Sequence, residues 1–157
     1  MTKPIPDGFH TLTPHITVQD AAKAIEFYKK AFGAQEIVRH GMPGSNAVMH
    51  AQLKVGNSML MVANEFPPMA LSPKSRGGTS TTLHVYVEDA DAAFERAVKA
   101  GATVKMPMMD QFWGDRYGSV EDPFGHMWSI ATHKQDLTES QIAEGAKAAF
   151  AKMPKCG

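Results

Sequence analysis

The chain reads as an α+β protein made of two tandem βαβββ modules followed by a C-terminal helix. Two observations carry that reading. The stretch from Thr13 to Ala34 returns from Thr82 to Ala102, with Thr13/Thr82, His15/His84, Val18/Val87, Asp20/Asp89, Glu26/Glu95, Lys30/Lys99, Ala31/Ala100 and Gly33/Gly101 identical. Each copy also changes from period-two to helical periodicity at the same place. A spacing of roughly 70 residues exceeds that of solenoid repeats. The copies are too short to stand alone, so they share one core, with the shared site expected near the pseudo-twofold between them.

Each module opens with a strand. Leu12, Pro14, Ile16 and Val18 alternate with Thr13, His15 and Thr17, and Leu83, Val85 and Val87 alternate with Thr82, His84 and Tyr86, one apolar face against one polar face. Asp20 and Asp89 follow as N-caps. The helices then set Ala24, Phe27, Tyr28 and Ala31, and Ala93, Phe94, Ala97 and Val98, on one face. Gly33 and Gly101 stand where a helix ends. Three short strands are expected after the first helix, at 35–40, 47–55 and 59–63, with Gly56-Asn57 as a tight turn. The second copy repeats them at 103–108, 115–120 and 127–133, after the turn Asp122-Pro-Phe-Gly125.

Module one thus covers about 10–64, module two about 81–134, and 65–80 is a Pro/Ser/Gly-rich linker or flap, all within one domain. Thr138-Glu-Ser-Gln141 opens a helix over 138–153 with a capping box. Its apolar stripe of Ile142, Ala146, Ala149 and Phe150 needs a surface to pack on, in this chain or a second copy.

Bulk properties narrow the function. The 157 residues suit one domain, and 16 basic residues balance 16 acidic ones, so net charge recruits neither nucleic acid nor an anionic membrane. No basic leader precedes an apolar run, and no stretch reaches the roughly 20 apolar residues of a bilayer span. Cys156 is the single cysteine, which leaves no disulfide or thiolate metal site and fits a reducing cytoplasm. There is no Ser-His-Asp arrangement and no phosphate-binding glycine loop.

The paired modules, the His/Thr first strand ending Val-x-Asp, the helix ending Phe-Tyr-x-x-x-Phe-Gly and the late Asp-Pro-Phe-Gly turn resemble the vicinal oxygen chelate superfamily. That superfamily contains glyoxalase I, bleomycin and fosfomycin resistance proteins and extradiol dioxygenases. Trp113-Gly-Asp-Arg-Tyr117 and Asp122-Pro-Phe-Gly-His126 are similar to its PhnB-like branch. The resemblance spans roughly residues 10 to 135. It implies sheets curled around a cavity, a small-molecule ligand and a homodimer.

In metal-dependent relatives the ligands are His, Glu or Gln on the first and last strands of each module. The resemblance carries those positions onto Thr13, Thr82, Met61 and Ser129, none of them a normal ligand for a transition metal. Two function classes stay open. One is a binding protein without the standard metal site, its pocket lined by His15, His84, Thr13, Thr82, His50, Met61, Trp113, Arg116 and Ser129. The other is a lyase, isomerase or dioxygenase with a displaced site for Zn²⁺, Mn²⁺, Fe²⁺ or Ni²⁺ at His15, His84 and Glu65, with His133 a further donor. There the metal would act as a Lewis acid on two vicinal oxygens. In the binding reading Trp113 stacks on a flat ligand and Arg116 holds an anionic group; in the bland one Trp113 fills the core edge and Arg116 pairs with Asp115 or Glu121.

Overall fold

The computed structural model describes residues 2–153; Cys156 lies outside them. Module one consists of β1 (His15–Val18), α1 (Ala21–Phe32), β2 (Gln35–Gly41), β3 (Val48–Val55) and β4 (Ser58–Asn64). The short helix α2 (Pro73–Arg76) follows. Module two consists of β5 (Thr82–Tyr86), α3 (Ala90–Ala100), β6 (Thr103–Asp110), β7 (Asp115–Glu121) and β8 (Met127–His133), and α4 (Glu139–Ala151) ends the described chain.

The two sheets have equivalent strand orders, β1-β4-β3-β2 and β5-β8-β7-β6. In each, the first strand runs parallel to the last and the remaining pairs are antiparallel. The repeat is therefore a structural duplication, as its spacing predicts. Strands β1 and β5 both lie at a sheet edge.

Both module helices begin at the expected caps. The carboxylates of Asp20 and Asp89 accept the backbone N–H of Lys23 and Ala92, replacing partners that a first turn cannot find within the helix. Gly33 closes α1 in the left-handed region, at φ 64°, where a side chain would be strained.

The inner face of each sheet packs on its own helix, and α1 and α3 pack on each other. Ile16, Val18, Leu53, Leu60 and Val62 from the first sheet meet Trp128, Ile130 and Val120 from the second around Ile25, Phe27, Tyr28 and Phe32. The Phe32 ring stacks on Trp128 at 4.2 Å. Gly118 leaves room in β7 for its neighbours: a Cβ there would lie 2.5 Å from Met108 Sδ and 3.0 Å from Phe94 Cε2.

Polar bonds lock the halves together. Asp122 is buried and accepts four donors: Tyr28 Oη, Trp128 Nε1 and the backbone N–H groups of Phe124 and His126. These fill the acceptor capacity of a carboxylate. His126 is buried, with Nε2 2.9 Å from the Thr17 carbonyl. Arg96 Nε donates to the Ala31 carbonyl.

Three local features differ from the sequence expectation. Leu12 precedes β1 and is 87% exposed, and Met49, at the parity of Ala51 and Leu53, is also exposed. Segment 65–80 lies against both modules, with Ser75 near Gln19 and Pro73 against Gly125. The Glu65 carboxylate accepts the Ser72 amide and the Ser75 hydroxyl, and Ser72 caps α2. Helix α4 has the expected capping box but buries no residue. It rests on Phe112, close to Gly145 and 6.3 Å from the Phe150 ring.

Candidate ligand-binding site

With the helices holding the inner faces, the outer faces of both sheets are left open. Period-two geometry and the strand registers place His15, Thr17, Met61, Gln52 and His50 on the first open face. The second open face carries His84, Tyr86, Ser129, Ser119, Tyr117, Asp115 and His133. The two faces have different chemistry.

On the first face three imidazoles are neighbours. The His50 ring lies 6.2 Å from His15 and 6.4 Å from His40, and its Nε2 is 3.3 Å from Gln52 Nε2. Burial, then the electrostatic coupling to the neighbouring imidazoles His15 and His40, holds the His50 pKa below the ordinary imidazole value. Met61 is the register partner of His15.

On the second face the rings form a continuous wall. Trp113 meets Tyr117 edge-on at 5.6 Å, Tyr117 lies parallel to His84 at 6.0 Å, and His84 meets Tyr86 edge-on at 4.5 Å. His84 Nδ1 is 2.7 Å from Ser129 Oγ, which fixes the imidazole in the wall.

Asp115 anchors the other end. Its side chain is nearly buried. Oδ2 accepts from Tyr86 Oη at 3.0 Å and Trp113 Nε1 at 3.1 Å, and Oδ1 lies 2.8 Å from His133 Nδ1. Burial pushes the Asp115 pKa up, but the bonds from His133, Tyr86 and Trp113 outweigh it and leave it below the usual carboxylate value. His133 Nε2 faces Asp136 Oδ1 at 2.9 Å. Only the imidazolium donates from both nitrogens, and its pKa is raised by the bond to Asp136 and then that to Asp115.

Next to this wall is a cavity of about 950 Å³, lined in part by Thr13, Thr82, His84, Tyr86, Leu12 and Leu60. His84 and Tyr86 belong to both, and Leu83, Val85, Phe32 and Trp128 from the helix side line the cavity as well. Its volume is that of a small-molecule pocket.

The residues singled out in the sequence therefore fall into several places. Thr13, Thr82 and His84 line the cavity; Ser129 braces His84; Trp113 ends the ring wall. His15, His50 and Met61 lie together on the other sheet. Arg116 points to the helix side, where its guanidinium bonds both carboxylate oxygens of Asp91 and reaches Asp110. Glu65 is engaged with Ser72 and Ser75 in the linker.

Among the described residues, no three His, Cys, Asp or Glu side chains are grouped to hold a metal ion. The donors at the inherited positions are hydroxyls and a thioether, a poor set for Zn²⁺ or Fe²⁺. Within one chain these residues do not fit a resident transition metal.

The sequence did not single out Asp115 as the anchor or Tyr117 as part of the wall. Parity along β7 was the available signal, since Asp115, Tyr117 and Ser119 alternate away from the buried Val120 and the helix-facing Arg116.

The family and its folds agree with this architecture. The sequence profile of the Glyoxalase/Bleomycin resistance protein/Dioxygenase superfamily matches residues 8–130. An uncharacterized protein of Mycobacterium bovis is 45% identical over 136 residues, which cover 83% of this chain and 88% of that protein. Among solved structures, TioX from Micromonospora superposes with a TM-score of 0.64 at 30% identity, covering 79% of this chain and 98% of TioX. The PhnB protein from Bacillus cereus shares the fold at 16% identity, with a TM-score of 0.61 over 78% of this chain and 99% of that one. No helix among the described residues is long and apolar enough to cross a membrane. The chain belongs to the glyoxalase/bleomycin resistance protein/dioxygenase superfamily, with its two βαβββ modules and vicinal oxygen chelate fold.

Proposed function

We propose that the protein binds a small, flat, partly apolar molecule on the open face of module two, without a resident metal. The observation that carries this reading is the wall of Trp113, Tyr117, His84 and Tyr86 beside the 950 Å³ cavity. Ring faces at this spacing favour stacking of a planar ligand, and Thr13 and Thr82 supply polar contacts in the cavity beside them. The protein acts in the cytoplasm as a homodimer. Exposed apolar side chains outside that wall, Ile37, Met49 and Phe150 among them, give a second copy surface to cover.

Two measurements test this reading. Elemental mass spectrometry on untagged protein purified without chelator gives no stoichiometric Zn, Mn, Fe or Ni; one metal per chain would overturn the metal-free assignment and return His15 and His84 to attention. Acridine and N-methylacridinium are then titrated against the intrinsic fluorescence. Trp128 also lines the cavity, so the part of the quenching that comes from stacking on the ring wall is the part lost in Trp113→Phe. Quenching unchanged in that variant would place the ligand elsewhere.

A further inference from the structure

We infer that the ligand of this aromatic face carries a positive charge on or beside its planar ring system. The inference rests on the binding role proposed above and concerns the class of molecule bound there.

The charged groups at the Trp113 end are two carboxylates and one imidazole. Asp115 lies under Trp113 and Tyr86, and Asp136 lies beyond His133. Whichever protonation state His133 adopts, this end is net negative. The cations that could offset it are turned to the helix side. Arg116 is clamped on Asp91, and the charge of Lys134 is felt by the same carboxylate. At the far end of β7, Lys105 is paired with Glu121.

The rings add to this bias. The faces of Trp and Tyr carry the negative lobe of their quadrupole and attract cations. Trp113 Nε1 and Tyr86 Oη both point their positive edges at Asp115, so neither is free to donate to an anionic ligand. His84 Nδ1 is likewise engaged with Ser129. An anion would find negative ring faces and the Trp113 and Tyr86 donors already committed to Asp115. A flat cation finds three rings and an unbalanced carboxylate.

Three probes with the same tricyclic ring and different charge test this by calorimetry at mildly alkaline pH: N-methylacridinium, acridine and acridine carboxylate. The cation is expected to bind about tenfold tighter than the neutral ring, in line with a partly desolvated cation–π contact. The anion should bind weakest, and the cation's advantage should shrink with added salt and in Asp136→Asn. Asp136 is fully exposed, so that variant leaves the core intact. Equal affinities for all three, or tightest binding of the anion, would overturn the charge assignment while leaving the pocket in place. Failure of all three to bind would overturn the pocket reading as well.

Discussion

The Tyr28 hydroxyl donates to Asp122 Oδ2 across 2.8 Å, joining the helix of module one to the last turn of module two. Tyr28 is fully buried and Asp122 is 2% exposed, so water cannot replace either partner. Burial, and then the Asp122 charge and hydrogen bond, push the phenol pKa well above its ordinary value. Tyr28→Phe should destabilise the fold by about 1.5–3 kcal/mol, the range for a hydrogen bond to a charged group. Asp122→Ala should cost more, because four donors lose one acceptor. Chemical denaturation checks both, and a Tyr28→Phe protein as stable as wild type would refute the role given to this bond.

The aromatic contact beside it should be equally sensitive. Phe32 stacks on Trp128 across the module boundary, and Phe32→Ala should cost about 3–5 kcal/mol. A loss below about 1 kcal/mol would mean that the halves close without this stack.

Close approach makes a third test. Alanine at Gly118 must displace Met108 and press on Phe94, an overpacking expected to cost about 1–3 kcal/mol. Thermal unfolding of Gly118→Ala reads the effect. A neutral result would show that β6 and α3 yield freely at this point.

His133 gives a pH prediction whose sign is set by its partners. Asp136 and then Asp115 raise its pKa in the folded chain. The stabilisation from these pairs is therefore full below the ordinary imidazole value and is lost as pH rises through the folded value. NMR titration should find the His133 midpoint above that of a free histidine, and Asp136→Asn should lower it. A midpoint indifferent to that substitution would contradict the pairing. His50 should titrate in the opposite direction, below the free value.

Much of the fold was legible because it rests on local rules. The strand parity of Ile16 and Val18, the caps Asp20 and Asp89 and the capping box at Thr138 each act within a few residues. What escaped notice depends on distant partners. His126 looks like a loop histidine until the Thr17 carbonyl is brought to it. Arg116 looks like an anion hook until α3 presents Asp91. Leu12 fits the alternation of a strand that does not extend that far. His15 and His84 are equivalent in the repeat, yet their neighbours are unlike: the His50 imidazole beside one, tyrosines and a serine around the other.

The back-to-back pairing of α1 and α3 separates two evolutionary problems. Substitutions that keep the helices and their buried sheet faces in register preserve the protein, whatever happens on the surfaces pointing away from them. A duplicated gene could therefore turn one half toward imidazoles and the other toward large rings without renegotiating the core each time. Divergent ligand chemistry is what such an arrangement permits, with the two halves drifting apart in composition while remaining superimposable in backbone.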